Sequence, residues 1–367
     1  MKFVCAKETL VEAIATVQKS IATRTPLPIL EGILLEAGED AVKMTGYDLE
    51  TGIECKVNAD VMQEGSLVIN ARMFGEIARK LPESTVAIET GANNTVAIDC
   101  GSSRFTIKCM PAENYPKLPL VEESERITLP QKMLRDMIRQ TLFAVSTDES
   151  RPILNGCFIK CDGQVVEMVA IDGFRLALRR SEITEGVRTM SFIVPGKALS
   201  ETGRILENVD DPVEIYSSQN HILFDTGRVK LVSRLIQGDY MNYRSFIPTT
   251  AETTIVLSTQ AFLSAMERAS LIITSDDRRF PVRLTTESDD SLVVSATTDV
   301  GAMREEVPVS LLGNRIDIDF NPRYFLDALK VVDDEEISVV FNGALGACVI
   351  RPVEENRFAY LVLPLRK

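Results

Sequence analysis

A segment of roughly 120 residues recurs three times along this 367-residue chain, and the repetition restricts the fold more than any other feature. Each copy opens with an amphipathic helix and passes through a proline into strands with alternating apolar residues. A second short helix and further strands follow. This order predicts an α+β fold in which each of three similar domains packs two helices on antiparallel sheets.

The helices are predicted from apolar residues at helical spacing, as in Leu10, Ile14 and Val17 of the first copy. The six predicted helices cover residues 7–20, 71–80, 130–144, 196–207, 259–272 and 322–331. The strands after the first helix of each copy begin at Pro28, Pro152 and Pro281. An aspartate lies near a turn between later strands of each copy: Asp48, Asp172 and Asp299.

The predicted domains are residues 1–121, 127–247 and 253–367. An acidic segment at 122–125 and a polar segment at 248–254 connect them. With 45% hydrophobic and 25% charged residues, the composition is typical of a folded globular protein. The start of the chain has no apolar segment of the kind found in signal peptides or membrane spans, so we expect a cytoplasmic protein.

The net charge of −13 argues against nucleic acid, because DNA-binding proteins normally present basic side chains to the phosphates. The charge is unevenly distributed, however. The six predicted helices hold 13 Lys/Arg and 8 Asp/Glu, whereas the rest of the chain holds 27 and 45. The overall charge therefore does not exclude DNA, provided that the helices face it.

The three second helices share one charge pattern, plus, minus and plus at positions i, i+4 and i+7. The residues are Arg72, Glu76 and Arg79; Lys197, Glu201 and Arg204; and Arg323, Asp327 and Lys330. That spacing puts the three charges on one face of each helix. Diffuse charge interleaved with acids favours sequence-independent contact with phosphates over base recognition. A solvated helix face with intrahelical ion pairs is the alternative.

The sequence holds no catalytic or cofactor motif. His221 is the only histidine and follows a polar run in a predicted hairpin. Residues 343–346 are predicted to form a turn, and no phosphate-binding glycine loop occurs. Seven cysteines are scattered through apolar runs without a CxxC pair, which predicts buried free thiols. We therefore predict a protein without enzymatic activity, cofactor or metal.

Four segments carry a family resemblance: SRPILNGCFIK (150–160), AIDGFRLALR (170–179), DYMNYRSFIP (239–248) and AYLVLPLRK (359–367). They resemble segments of bacterial sliding clamps, the beta subunits of DNA polymerase III, and the length, triple repeat and element order agree over the whole chain. The resemblance implies two chains that close head to tail into a six-domain ring around duplex DNA. Such a ring is a processivity factor that tethers the replicative polymerase and is not itself an enzyme.

The resemblance also implies a pocket between the second and third domains for short apolar motifs. The partners would be the polymerase III alpha subunit, the clamp loader, translesion polymerases and repair proteins. The matching positions are Leu154, Ile171, Gly173, Phe174, Arg175, Leu176, Met241, Phe246, Leu361, Leu363, Pro364, Leu365 and Arg366. We expect the apolar side chains to enclose an aliphatic or aromatic anchor, while Arg175 and Arg366 meet backbone or carboxylate oxygens.

Several pocket positions depart from the family pattern. Phe174, Ile171 and Met241 stand where many clamps have histidine, threonine and proline. Ser245 and Phe246 alter the tip of the following loop. The pocket is therefore expected to be more apolar than usual.

Basic residues that match the family's DNA-facing positions are Arg24, Arg72 and Lys197. Helical phase adds Arg79, Lys80, Arg135, Arg139 and Arg204. For the dimer interface, the resemblance implies pairing of strand edges. The residues are Arg104, Phe105 and Ile107 of one chain with Leu271, Ile272 and Glu305 or Glu306 of the other. The alternative hypothesis is a clamp-like scaffold that binds proteins without encircling DNA.

Overall fold

The computed structural model describes residues 1–22, 25–82, 84–121, 125–273, 281–343 and 345–365. They form two compact units. Unit 1 consists of Met1–Lys132 and Glu201–Leu235, and unit 2 consists of Met133–Ser200 and Ile236–Lys367. Because the predicted central domain contributes to both units, the division into three domains stays a prediction. Arg24 and Arg366 lie outside the described residues.

The elements are given in chain order. The first are β1 (Lys2–Ala6), α1 (Lys7–Val17), β2 (Gly32–Ala37), β3 (Ala41–Tyr47), β4 (Thr51–Asn58), β5 (Asp60–Gln63), β6 (Gly65–Asn70), α2 (Ala71–Lys80), β7 (Thr85–Gly91), β8 (Thr95–Cys100) and β9 (Ser103–Lys108). Next come β10 (Glu125–Pro130), α3 (Gln131–Arg139), β11 (Gly156–Ile171), β12 (Arg175–Pro195), α4 (Gly196–Ile205), β13 (Pro212–Ser217), β14 (His221–Asp225) and β15 (Val229–Arg234). The last are β16 (Thr253–Ser258), α5 (Thr259–Ser270), β17 (Val282–Thr286), β18 (Ser291–Thr298), β19 (Gly301–Gly313), β20 (Asp317–Phe320), α6 (Pro322–Leu329), β21 (Glu336–Phe341), β22 (Cys348–Pro352) and β23 (Phe358–Val362).

All six predicted helices are present among the described residues; α2 has the predicted bounds, and the other five are shorter than predicted. The largest difference is in the longest predicted helix, 130–144, where α3 ends at Arg139. Thr141 leaves helical geometry at φ −127°, and its hydroxyl donates back to the carbonyl of Met137 at 2.7 Å. A 3-10 turn at Leu142–Ala144 completes the segment. A side chain that bonds its own backbone therefore competes with the helix here.

Two predicted strand starts are wrong. Pro28–Glu31 and Pro152–Asn155 are 3-10 turns, and the strands begin at the glycines that follow them. Proline favours the first position of such a turn because its φ is already fixed near helical values. Gly32 then lies against β6, where an added Cβ would be 2.3 Å from a methyl carbon of Val68. The turn thus places a glycine where β2 and β6 are in close contact.

Unit 1 contains an eight-stranded sheet in the order β10-β13-β14-β15-β4-β3-β2-β6 and a five-stranded sheet in the order β5-β1-β7-β8-β9. The strand pairs are antiparallel. Leu10, Ile14 and Val17 of α1 are buried, and α1 contacts β3, β4 and α2. The apolar stripe predicted from the sequence is therefore the face that packs on the sheet.

Unit 2 contains a ten-stranded sheet in the order β11-β12-β23-β22-β21-β16-β19-β18-β17-β20. Its helices α5 and α6 pack on each other through Phe262 and Phe325, whose ring centroids are 5.6 Å apart in an edge-to-face arrangement. Both rings are fully buried. The predicted α+β fold, with helices on antiparallel sheets, is confirmed in each unit.

Two predicted helix starts are confirmed by their caps. The Asn70 side chain accepts a hydrogen bond from the N–H of Met73, and the Asn321 side chain accepts one from Arg323. Each cap satisfies a backbone donor that the first turn of a helix leaves open. The cysteines are free thiols, as predicted, and burial raises the pKa of Cys157 to about 12.

Replacing Gly46 by alanine tests the packing of α1 on β3. The added Cβ would lie 2.4 Å from the carbonyl oxygen of Val17 and 2.8 Å from the hydroxyl of Ser20. Because the nearer atom belongs to the backbone, we expect Gly46→Ala to lower the free energy of unfolding by about 1–3 kcal/mol. Urea unfolding followed by circular dichroism measures this. Gly38→Ala is the control, since its Cβ would meet nothing closer than 3.9 Å; equal destabilisation of both variants would contradict the packing argument.

Candidate functional site

The pairing of β4 with β15 in unit 1 is called the unit 1 junction. β4 follows the turn at Asp48, whose carboxylate accepts hydrogen bonds from the N–H groups of Glu50 and Thr51 at 3.0 and 2.7 Å. Beside this turn, the N–H of Arg234 donates to the carbonyl of Glu50 at 3.0 Å. An aspartate turn therefore sets the place where the later strand joins.

The pairing of β12 with β23 in unit 2, called the unit 2 junction, repeats this geometry. The Asp172 carboxylate accepts hydrogen bonds from the N–H groups of Phe174 and Arg175 at 2.9 and 3.1 Å. The N–H of Leu363 donates to the carbonyl of Phe174 at 2.9 Å. The predicted aspartate turns are confirmed at both junctions, and the two junctions are equivalent bond by bond.

The side chains at these equivalent positions differ in chemistry. The unit 1 junction carries Glu50 and Arg234 beside its turn, whereas the unit 2 junction carries Phe174, 51% exposed, and Leu363, 41% exposed. Charged side chains at a surface are solvated, but neighbouring exposed apolar side chains mark a binding surface. The unit 2 junction is therefore the candidate binding site.

The unit 1 junction is also filled from within the chain. A Cβ on Gly52 would lie 2.3 Å from a terminal methyl of Leu118, so Leu118 packs directly on the backbone of β4. Leu118 packs against an apolar cluster of Tyr47, Val68 and Tyr115. The chain's own leucine thus occupies the space over this junction.

At the unit 2 junction, Leu176 stands at the register position of Gly52, opposite Leu361. Both leucines are buried in one apolar cluster, called the pocket floor. It consists of Leu154, Val169, Ile171, Leu176, Tyr243, Val340, Val349 and Leu361. Four residues predicted from the resemblance, Leu154, Ile171, Leu176 and Leu361, are therefore brought together by the fold.

Four other predicted pocket residues are exposed and are called the pocket rim: Phe174, Met241, Phe246 and Leu363. Each is one to three residues from a member of the pocket floor in sequence. Buried floor and exposed rim together give an apolar surface that can receive an aliphatic or aromatic side chain.

Gly173, with φ +95°, makes the turn that leads to Phe174. Pro364 and Leu365 are half-buried, and the Leu365 N–H donates to Asp319 O at 2.8 Å.

The strands β21 and β22 and the segment between them also contribute to the site, which was not predicted from the sequence. Val340 and Val349 belong to the pocket floor, and Ala347 packs against it. Leu345, between them in sequence, is 80% exposed. The sequence signal for this contribution is the leucine in the connecting segment, because large apolar side chains exposed near one another mark a binding surface.

The expected role of Arg175 needs correction. Its guanidinium donates to Asp172 at 2.8 Å and to Asp327 at 2.6 Å, and the side chain is only 11% exposed. It also lies over the rings of Phe143 and Tyr324, 5.5 and 4.9 Å from their centroids. Arg175 therefore uses Nε and Nη1 for ion pairs inside the chain, and these fix the wall of the site.

Tyr324 connects this wall to the pocket rim. Its ring stacks on that of Phe174 with centroids 6.1 Å apart and planes inclined by 16°. Tyr324 is a residue of α6, the helix that also supplies Asp327. The exposed Phe174 ring is thus held by a neighbouring aromatic ring.

The predicted DNA-facing rows are partly paired within their helices. Arg72 binds Glu76 at 3.1 Å, and Arg204 binds Glu201 at 2.7 Å. These arginines are exposed, and pairs of this kind contribute little to stability, so phosphate contact would cost little. The third row departs from the pattern, because Asp327 binds Arg175 of the pocket wall. Arg79, Lys80, Arg135 and Lys197 are exposed.

Arg139 has a different role from the one predicted. Its guanidinium binds Asp136 at 3.3 Å and Asp333 at 2.5 Å, and it donates to the carbonyl of Val331 at 3.1 Å. Burial opposes its charge, but the hydrogen bond and charge of Asp333 prevail and raise its pKa. Arg139 therefore links α3 to the segment after α6 through hydrogen bonds from Nη1 and Nη2.

The predicted interface residues lie on two strand edges and a helix end. β9, with Arg104, Phe105 and Ile107, is the outermost strand of its sheet. Residues 301–306 of β19 pair with β18 on one side and leave the other side open among the described residues. Leu271, just after α5, is 81% exposed, and Ile272 is half-buried. An open edge beside an exposed leucine is a surface that favours association.

The acidic interface residues have partners inside the chain. Arg268 donates to Glu305 at 2.6 Å, and this hydrogen bond lowers the pKa of Glu305. Glu306 binds Arg304 at 2.7 Å. Glu305 is thus held at the surface as a carboxylate.

His221 opens β14 in the predicted hairpin, where burial and the charge of Arg234 lower its pKa. The described residues contain no group of three or more His, Cys, Asp or Glu arranged to hold a metal. Within the same ranges, no helix combines the length and the apolar character that crossing a membrane requires.

Repeated α+β units whose sheets are joined through equivalent junctions define a clamp-type protein. Models of the DNA polymerase III beta subunit match the chain: the N-terminal domain at residues 1–119, the central domain at 128–242 and the C-terminal domain at 244–366. The beta sliding clamp of Bacillus subtilis strain 168 is 37% identical over 378 residues, which cover 100% of both chains.

Solved structures agree. The crystal structure of the DNA polymerase sliding clamp from Bacillus subtilis matches with a TM-score of 0.96 at 36% identity, covering 100% of this chain and 99% of that one. A sliding clamp from Pseudomonas aeruginosa bound to griselimycin matches with a TM-score of 0.94 at 27% identity over 100% of both chains.

The chain therefore belongs to the family of DNA polymerase III beta subunits, the beta sliding clamps. The family predicted from the four segments is confirmed. With it, the prediction of a sliding clamp, a non-catalytic subunit, is confirmed over that of an enzyme or of a scaffold without DNA.

Arg139→Gln and Arg135→Gln, on the same helix, separate a structural from a DNA-facing role. Arg139→Gln should lower the free energy of unfolding by about 1 kcal/mol, because Asp333 loses its charged partner and keeps only the hydrogen bond from Gln140. Arg135→Gln should leave stability within about 0.5 kcal/mol and instead shorten retention on DNA. Urea unfolding and retention on closed DNA circles measure the two effects. If Arg139→Gln instead shortened retention on DNA without loss of stability, Arg139 would be a DNA-facing residue, as predicted from the sequence.

Proposed function

We propose that two copies of this chain close head to tail around duplex DNA and tether the replicative polymerase and other replication and repair proteins through the candidate pocket. The DNA is held without regard to sequence, and the protein acts in the cytoplasm, where bacterial DNA is replicated. The predicted polymerase III alpha subunit, clamp loader and translesion polymerases are the expected partners. The order of the strand junctions is the observation that carries the proposal.

In each junction inside the chain, the last strand of one copy joins the strand that follows an aspartate turn: β15 joins β4, and β23 joins β12. Among the described residues, one last strand and one strand that follows an aspartate turn have no such partner. β9 is the last strand of the first copy, and β19 follows the turn at Asp299. Two chains can satisfy both of these edges by pairing β9 of each with β19 of the other, which closes a ring in which neither edge is left open.

Repeat equivalence gives the register of this proposed pairing. Met110 and Ile236 are equivalent, because each forms a bridge with the residue three positions before the second helix of its copy. Three residues earlier, Ile107 of β9 corresponds to Ser233 of β15. Ser233 lies opposite Thr51, three residues after the aspartate of its turn.

In the third copy, the position three residues after Asp299 is Ala302. Ile107 is therefore expected opposite the partner's Ala302, and antiparallel counting puts Arg104 opposite the partner's Glu305. Since Arg268 already holds Glu305 at 2.6 Å, the new contact would place one carboxylate between two guanidinium groups. Phe105 and Ile107 would share one face of the strand, beside the exposed Leu271.

The helices set the scale of the proposed ring. The helices of the two chains, six from the described part of each, would line the hole. At a spacing of about 9 Å they give a circumference of about 110 Å, an axis-to-axis diameter of about 35 Å and, after side chains, a hole of roughly 25 Å. Duplex DNA passes with room for water. The exposed basic residues Arg72, Lys80, Arg135 and Lys197 are proposed to meet its phosphates.

The pocket is proposed to bind a short peptide with an aliphatic or aromatic anchor. The pocket rim offers aromatic, thioether and aliphatic side chains and no ionisable group, so anchoring relies on apolar contact. The griselimycin complex of the Pseudomonas aeruginosa clamp supports ligand binding by this family. Because Arg175 is occupied internally, orientation of the peptide backbone falls to other groups.

Retention on circular and linear DNA tests encirclement. The full chain, loaded with a matched clamp loader and ATP at moderate salt, should stay on nicked circular DNA and run off the same DNA after linearisation. The reason is topological, since a closed ring leaves only through an end. Equal loss from both forms, or equal binding to both with steep salt dependence, would replace the ring by a surface binder or a scaffold.

Engineered cysteines test the register. In a Cys109→Ser background, Thr106→Cys with Met303→Cys should form a covalent dimer under mild oxidation, because the two positions are expected opposite each other across the interface. Thr106→Cys with Arg304→Cys is the control, since a shift of one residue puts the side chains on opposite faces. Non-reducing electrophoresis measures both. Preferential crosslinking of the control pair would refute the register.

A further inference from the structure

A carboxylate is buried behind the candidate pocket. Glu167 lies on β11 and is only 7% exposed. The residues around it, 166–171, are all buried, so water does not solvate its charge. A buried carboxylate persists only where hydrogen bonds and an opposite charge compensate for lost hydration.

Both compensating groups come from the segment that carries half of the pocket rim. The hydroxyl of Tyr243 donates to one oxygen of Glu167 at 2.6 Å, and the guanidinium of Arg244 donates to the same oxygen at 2.7 Å. The guanidinium also lies 5.9 Å from the centre of the Tyr243 ring. Burial and the contact with Glu167 raise the pKa of Tyr243 to about 12, so the hydroxyl keeps its proton through the neutral range.

Residues 240–247 are called the pocket loop. Several of its backbone hydrogen bonds are local: Tyr243 N–H donates to Met241 O, and Ser245 N–H to Asn242 O. The Tyr240 ring stacks on Phe158 with centroids 4.9 Å apart. Local bonds shape the loop but do not attach it to the sheet, so side chains must do so.

We propose that Glu167 is a positioning residue of the pocket, which fixes the pocket loop on β11 through Tyr243 and Arg244 and so holds Met241 and Phe246 in place for an apolar peptide. The proposal rests on the proposed peptide-binding function. It adds a residue that touches no ligand. It also accounts for a charge in the otherwise apolar run 165–171 of β11.

A second consequence concerns charge at the pocket rim. Arg244 is largely exposed, yet its charge is compensated by Glu167 at 2.7 Å. Glu167 therefore offsets the positive charge of Arg244 beside the pocket rim. Removing the Glu167 charge would leave an unpaired guanidinium beside the rim and favour peptides with acidic ends.

The test measures dissociation constants for the full chain by fluorescence anisotropy. The probe is a fluorescein-labelled uncharged pentapeptide rich in leucine and phenylalanine, with a second probe that carries two added aspartates. We expect Glu167→Gln to weaken binding of the uncharged peptide about fivefold, and Tyr243→Phe to act similarly. Glu182→Gln, an exposed glutamate of β12, is the matched control and should bind like the wild type.

A double-mutant cycle separates positioning from general damage. Phe246→Ala should weaken the uncharged peptide about tenfold in the wild type but only about twofold in Glu167→Gln, because the loop is already displaced there. The same cycle with Tyr243→Phe keeps the test valid if Glu167→Gln does not fold. In Glu167→Gln, the acidic probe should lose less affinity than the uncharged probe. At high salt, the ratio of the two dissociation constants should return to its wild-type value, because salt screens charges.

The outcomes are distinguishable. Additive effects of Glu167→Gln and Phe246→Ala, or unchanged binding in Glu167→Gln, would overturn the positioning role while leaving the pocket intact. Failure of the wild type to bind either probe would overturn the proposed pocket, and the positioning role with it. Coupling of Glu167 to Phe246, together with the altered charge preference, would support both.

Discussion

The structure depends on one interaction, the antiparallel pairing of a copy's last strand with the strand that follows an aspartate turn. Backbone N–H and C=O groups at a strand edge need partners, and this pairing supplies them without a dedicated interface. It joins strands from different copies into the eight-stranded and ten-stranded sheets. The same rule leaves β9 and the start of β19 open, so the requirement for a second chain follows from the same bonds that build the first.

Equivalent backbones at the two junctions carry different side chains, and function follows the side chains. In unit 1, Gly52 makes room for Leu118, which closes the surface. In unit 2, Leu176 fills that position and supports an open apolar site. Asp327 belongs to the charge row predicted to face DNA, but its side chain binds Arg175 in the pocket wall.

Much of this fold could be predicted from the sequence because its signals are local. Apolar spacing, the Asn70 and Asn321 caps and the aspartate turns are all read within a few residues. The 3-10 turns at Pro28–Glu31 and Pro152–Asn155 were missed, since proline followed by apolar residues suits a strand start equally well. The helix predicted over 130–144 ran past α3 because the effect of Thr141 on its own backbone is not visible in apolar spacing.

The site was predictable only in part, for a different reason. Its apolar members follow from family resemblance, but the partners of its charges lie far away in sequence. Arg175 meets Asp327, and Arg139 meets Asp333, across separations of 152 and 194 residues. No local pattern specifies such pairs. The contributions of Val340 and Leu345 were missed for the same reason, because β21 looks like any buried strand until its neighbours are known.

The leucine that covers Gly52 has a consequence for stoichiometry. In the proposed ring of two chains, six junctions would share one backbone plan, and the unit 2 junction of each chain is the proposed peptide site. Such an assembly would be divalent, and its proposed partners would share two sites. Occupancy then follows their relative concentrations and affinities, so exchange between partners is a matter of competition by mass action.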